Sequence, residues 1–119
     1  LKKAIMAAKP GNRIGNISKI IQEILTINGF SPVRQYCGHG IGRQIHEDPQ
    51  IPCFLDGPVA NTPLIKPGMA MAIEVMMNEG GYKVVLDKDG WGAKTGDGSR
   101  SAQFEHSILV SEKGPKILT

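Results

Sequence analysis

A histidine set between glycines, and two glutamates that each stand alone in an apolar stretch, are the residues of this sequence best suited to chemistry. The histidine is His39, in Cys37-Gly38-His39-Gly40-Ile41-Gly42-Arg43-Gln44-Ile45-His46-Glu47-Asp48-Pro49. This stretch also carries His46, so it holds two of the three histidines in the chain. Glycines let a backbone pass close to a ligand, and a histidine held between them can reach something small and charged. The glutamates are Glu74, within Met69-Ala70-Met71-Ala72-Ile73-Glu74-Val75-Met76-Met77, and Glu105, within the apolar run from Phe104 to Val110. A carboxylate buried without a partner costs several kcal/mol, so it is protonated, paired or bound to a metal. One neutral imidazole and two carboxylates suit a divalent ion of the Mn, Fe, Co or Zn kind.

Each of these residues also has a plain structural use, and residue chemistry alone leaves both uses open. A strand glutamate at a sheet edge faces water. A single histidine is more often a hydrogen-bonded structural residue than a ligand. His39 and His46 do not have the four-residue spacing of a helical zinc motif. Trp91 and the methionines at 69, 71, 76 and 77 read more readily as core than as pocket.

The elements that must position this set follow from periodicity. Residues 2–9 read as the last turns of a helix, stopped by Pro10-Gly11. Ile14, Ile17, Ile20, Ile21, Ile24 and Leu25 then recur at amphipathic-helix spacing, with Asn12 as candidate N-cap and Gly29 as the left-handed residue past the last turn. Residues 33–36 fit a short strand leading into the glycine-rich stretch, which Pro49 ends. Residues 51–67, with prolines at 52, 58, 63 and 67, read as a loop. Residues 69–77 are the clearest strand, apolar on both faces apart from Glu74, which shares its face with the small Ala70 and Ala72. After a turn at 78–81, residues 82–86 read as its returning partner. Residues 87–90 turn again ahead of Trp91, and 92–100 are polar. Residues 104–110 form another buried strand, with Glu105 on the face of Ser107 and Leu109 and His106 on the other. The fold class is α+β, with helices first and antiparallel strands after.

At 119 residues the chain is one domain, with ordinary globular composition: 40% hydrophobic, 21% charged and a net charge of +3. The basic residues form no run that would follow a phosphate backbone, so no specific nucleic-acid partner is expected. No apolar run is long enough to span a bilayer, and no secretory signal opens the chain. Cys37 and Cys53 are therefore expected as reduced thiols, in a cytoplasmic protein. The chain opens at Leu1 inside a helical pattern and closes just after Ile117-Leu118. It is expected to be a piece of a longer protein.

Residue by residue, the chain resembles the C-terminal half of the bacterial-type (type I) methionine aminopeptidases, which have the pita-bread metallopeptidase fold. The matching segments are Tyr36 to Gly42, His46 to Pro49, Lys66 to Met69, Ile73-Glu74, Asp89 to Trp91, Lys94-Thr95 and Ser101-Ala102-Gln103-Phe104-Glu105-His106. The glycine–histidine–glycine stretch and the first glutamate also occur in prolidases and X-prolyl aminopeptidases. The tryptophan segment and Ser101 to His106 favour the methionine enzymes.

The resemblance implies His39, Glu74 and Glu105 as metal ligands, with Glu105 bridging two divalent ions (Co, Mn, Fe or Zn) and Glu74 also serving as general base. It implies that His46 hydrogen-bonds substrate beside the scissile peptide and stabilises the tetrahedral intermediate. Trp91 would line the pocket for a methionine side chain. The implied activity is metal-assisted hydrolysis that removes the initiator methionine from peptides and nascent chains. The sequence departs from the family at Val75, where proline is usual, and at Ile45, where an aromatic is common. The family's two aspartate ligands and a further substrate-contacting histidine lie in an N-terminal half, and aspartates 48, 56, 87, 89 and 97 match neither ligand. Residues 1–119 are thus expected to be the C-terminal half of the catalytic domain, inactive alone. An apolar face should await the other half or a second copy of the chain. The rival readings are a non-catalytic binding module of pita-bread descent and a prolidase-like peptidase.

Overall fold

A computed structural model describes residues 1–119. Two helices lie against one face of an antiparallel sheet, and a small separate hairpin projects from its other end. Helix α1 (Lys2–Ala7) buries Ala4, Ile5 and Ala7. Helix α2 (Ile14–Ile27) buries Ile14, Ile17, Ile21 and Leu25, the stripe that its periodicity predicts. Its N-cap is Arg13, one residue later than expected. The Asn16 side chain accepts the Arg13 N–H at 2.8 Å, while Asn12 turns back to donate to the Ala7 carbonyl at 2.9 Å. Gly29 has φ +80°, the left-handed value expected after the last turn.

The strands are β1 (Ser31–Pro32), β2 (Cys37–Ile41), β3 (Glu47–Pro52), β4 (Ala70–Asn78), β5 (Val84–Leu86), β6 (Ala93–Thr95), β7 (Ser101–Ser111) and β8 (Gly114–Ile117). The main sheet runs β3-β2-β4-β7-β8, with β1 pairing the far end of β4. Met71, Ile73 and Val75 point from β4 into the core, beside Ile108 and Val110 of β7 and under the isoleucines of α2. The opposite face of β4 carries Ala72 and Glu74.

Four expectations are corrected here. Residues 33–36 are not a strand: the extended pair lies earlier, at Ser31–Pro32, and the chain then bends into β2. Pro49 does not end the glycine-rich stretch but sits within β3, which also takes in Ile51 and Pro52 from the expected loop. This is tolerable because β3 is an edge strand with only β2 as neighbour, so a missing N–H breaks no second ladder. Residues 82–86 do not return along β4. All nine residues of β4, from Ala70 opposite Leu109 to Asn78 opposite Ser101, are taken by β7, so β5 pairs with β6 instead. Finally, β7 is not buried throughout: Phe104 is 59% exposed and Glu105 also faces solvent, whereas Ile108 and Val110 are buried. The α+β class and the strands around Glu74 and Glu105 are found as expected.

Candidate active site

The flanking glycines are explained by what lies beside them. A Cβ at position 38 would overlap the Ala72 carbonyl oxygen, and one at 40 would overlap the backbone of Asp48. Two neighbouring strands thus press against β2 at the positions where only glycine fits, and His39 is held between them. His39 pairs with Ala72 of β4, and Ala72 pairs with Ser107 of β7. Two residues further along β4, Glu74 stands directly opposite Glu105. The strand period of two puts His39, Glu74 and Glu105 on one face of three adjacent strands. The small Ala72 leaves space between them.

His39 Nδ1 is 2.9 Å from the Gly40 carbonyl oxygen. A carbonyl only accepts, so Nδ1 carries the hydrogen and the neutral ring presents a lone pair at Nε2. That nitrogen lies 3.5 Å from Glu74 Oε1, and the two side chains are only 13% and 12% exposed. Two acceptors this close, partly out of water, require a cation between them: a proton or a metal ion. The other Glu74 oxygen, Oε2, accepts a hydrogen bond from Gln103 Nε2 at 3.0 Å. Burial raises the Glu74 carboxyl above its ordinary value, and the Glu105 charge adds to this, while His39 and Gln103 act in the opposite direction. Behind the strand, the buried thiol of Cys53 donates to the Glu74 carbonyl at 3.3 Å and accepts the Met76 N–H at 3.4 Å. Burial, above all, pushes that thiol up to about 11. Both cysteines are free, as expected.

His46, at the end of the turn after β2, brings its ring to within 4.3 Å of the His39 ring, centroid to centroid, in an edge-on arrangement. It therefore reaches the same face from the side. An open cavity of about 700 Å³ begins there, lined by Tyr36, His46, Glu74, Met76, Trp91 and Gln103, among others. Trp91 is 90% exposed, so it is no part of the core; it stands at the rim of this cavity. Met76, expected in the core, is buried and yet also forms part of the cavity wall.

The donor set fits a divalent ion in kind: a neutral imidazole with its remote N–H fixed by a carbonyl, and two opposed carboxylates. No three His, Cys, Asp or Glu side chains of this chain close into a cage. His39 and Glu74 touch, while Glu105 stands opposite Glu74 on the neighbouring strand. Residue reasoning missed Gln103 as a partner of Glu74. The signal was available: Gln103 lies two residues before Glu105 and so shares its strand face.

With this geometry in place, the class of protein is clear: residues 1–112 match metallopeptidase family M24, and the chain belongs to that family. Within it, the chain is 48% identical over all 119 residues to methionine aminopeptidase 1 of Bacillus subtilis, covering 47% of that protein. It is 47% identical over 116 residues to the methionine aminopeptidase of Escherichia coli K12, covering 98% of this chain and 43% of that one. The crystal structure of methionine aminopeptidase from Thermotoga maritima superposes with a TM-score of 0.93 at 49% identity, over 98% of this chain and 46% of the other. A prolidase from Pyrococcus horikoshii has the same fold at a TM-score of 0.69 and 22% identity, over 98% of this chain and 27% of that one. The fold is therefore the pita-bread fold, as expected, and the chain spans about half the length of the curated relatives it matches. No helix is long and apolar enough to cross a membrane.

Proposed function

We propose that residues 1–119 are the C-terminal half of a methionine aminopeptidase whose intact form hydrolyses the initiator methionine from new polypeptides in the cytoplasm. The observation that carries this reading is the His39–Glu74 contact at 3.5 Å, opening on a cavity that also holds His46 and the exposed Trp91. Its relatives of 47–49% identity bear the name methionine aminopeptidase, which supports the choice of substrate. His39, Glu74 and Glu105 would hold divalent metal, two ions in the intact site, with Co, Mn, Fe and Zn all compatible with nitrogen and oxygen donors. When bound, the metal supplies Lewis-acid polarisation of the scissile carbonyl and a water nucleophile at neutral pH.

The chain's own residues do the rest. Glu74, with Oε1 toward His39 and Oε2 held by Gln103, is the carboxylate placed to take a proton and pass it to the leaving amine. His46 is the exposed imidazole beside the ligand set, placed to donate a hydrogen bond to oxygen developing charge. Trp91, with Tyr36 and Met76, offers an apolar wall for an unbranched thioether side chain. Glu105 faces solvent on the sheet face away from the helices, which this chain leaves uncovered. An N-terminal half or a second copy of this chain would cover that face and add the ligands it lacks.

The test joins this chain, by co-expression, to the N-terminal half of the Bacillus subtilis relative and supplies Co or Mn. Release of methionine from a Met-Ala-Ser peptide, abolished by chelator, is the expected result. A folded, metal-loaded complex without such release would overturn the reading, and cleavage of X-Pro peptides instead would make it a prolidase-like enzyme. Turnover by the 119-residue chain alone would overturn its incompleteness.

A further inference from the structure

Strands β5 and β6 form a two-stranded sheet of their own, without a ladder bond to the main sheet. Under this arm lies a small cavity of about 140 Å³, lined by Val33, Tyr36, Met76, Val84, Ala93 and Gln103, so the arm does not pack flat on β4 and β7. Many of its polar contacts are internal. Asp97 accepts the N–H groups of Gly81 and Ser99 at 2.7 and 3.0 Å, and Arg100 grips Glu79 with two hydrogen bonds of 2.9 and 2.7 Å. These set the shape of the arm, while Asn78 of β4 donates to the Gly81 carbonyl at 2.8 Å at its root and Val84 packs against the core.

Two neighbouring residues, in the bend just before β2, reach across to it. Gln35 Nε2 donates to the Val84 carbonyl at 3.2 Å. Arg34 lays its guanidinium over the Tyr82 ring, 4.2 Å from the centroid, and is 5.1 Å from the centroid of Phe54, which follows β3. One cation thus joins an aromatic ring of the arm to an aromatic ring of the body. The planar guanidinium stacks where a lysine ammonium would present only a point charge. Nine residues beyond Tyr82, at the far end of the arm, stands Trp91.

We propose that Arg34 is a positioning residue that, through Tyr82 and Phe54, sets where Trp91 stands over the substrate cavity. The inference rests on the proposed role of Trp91 in binding the substrate side chain. The attachment itself can be measured apart from that role, because Trp91 is the only tryptophan in the chain.

Time-resolved fluorescence anisotropy of Trp91 in the whole chain reads the freedom of the arm. Arg34→Ala and Tyr82→Leu should each enlarge the fast nanosecond component, while Tyr82→Phe, which keeps the ring, should match the parent. Far-UV circular dichroism and the urea midpoint of each variant control for unfolding. In the reconstituted enzyme, Arg34→Ala should raise KM for Met-peptides about two- to fivefold with kcat unchanged, the scale of one exposed cation–π contact. The proposal is overturned if either loosening variant leaves the anisotropy at the parent value, or if Tyr82→Phe behaves like Tyr82→Leu. A fall in kcat at constant KM would overturn it too. Should the enzyme show no turnover at all, the functional reading fails and the anisotropy still decides the attachment.

Discussion

The middle of the main sheet and the β5–β6 arm meet at the same cavity, and they are built in opposite ways. In the sheet, β4 is paired on both sides, its core face carries Met71, Ile73 and Val75 under α2, and its other face presents Glu74. In the arm, three-residue strands pair only with each other, and Leu86 and Trp91 stand largely in solvent. The contrast separates two tasks. The groups proposed to hold a metal sit on strands locked by packing, which is where precise placement is possible. Trp91, proposed to meet a variable peptide, sits on a projection held by Val84 against the core and by a few polar and cation–π contacts, where adjustment is easy.

Substitutions in the two regions should therefore fail differently, and the largest effect belongs to the sheet. Ile73→Ala removes a fully buried side chain between sheet and helices, and is expected to lower stability by about 2–5 kcal/mol in chemical denaturation. A loss below about 1 kcal/mol would mean that the face under α2 is loosely packed. Next comes Glu74→Ala, which should leave the fold intact but weaken divalent-metal binding by more than about a hundredfold, measured by titration calorimetry on the reconstituted protein. Retention of metal would remove Glu74 from the ligand set.

In the arm, Trp91→Ala should change stability by no more than about 0.5 kcal/mol, since the side chain is 90% exposed. Its effect should appear as a KM raised roughly tenfold for Met-peptides, about 1.4 kcal/mol of lost apolar contact. A large stability loss would erase the distinction between the regions.

The smallest effect concerns pH. Hydrogen bonds from Ser99 and Gly81, the side chain of Ser99 first, hold the Asp97 carboxyl down at about 2. A depressed carboxyl contributes its stabilisation in full above its ordinary value, and loses it as pH falls toward about 2. The arm should keep its shape through mild acid, with the Asp97 carboxyl titrating near 2 by NMR. Asp97→Asn should loosen the turn at neutral pH, and the difference from the parent should vanish as pH falls toward about 2. An Asp97 that titrates at its ordinary value would show that the turn is open in solution.

Much of this was legible residue by residue because it depends on local rules. The period of 3.6 exposes the buried stripe of α2, and the period of two places Glu74 opposite its apolar neighbours. Glycines at 38 and 40 mark a crowded backbone, and the combined residues from Tyr36 to His106 point to a family. What local rules could not reach were choices among partners. Residues 82–86 pair with 93–95 because β7, further along the chain, occupies the whole edge of β4. Trp91 has the composition of a core residue and stands in water, because the hairpin that carries it leaves the sheet. Gln103 and Tyr82 gain their roles only once β7 and the arm are set beside Glu74 and Arg34. The sequence by itself determined which side chains have metal-binding chemistry and that Glu74 and Glu105 lie on strands, because side-chain chemistry and strand alternation are properties of neighbours in the chain. Only the tertiary structure decided that His39 touches Glu74, that no third metal-binding side chain closes around them, and that Arg34 bridges the arm and the body. Those contacts join segments 20 to 50 residues apart, and their geometry is set by sheet register and packing.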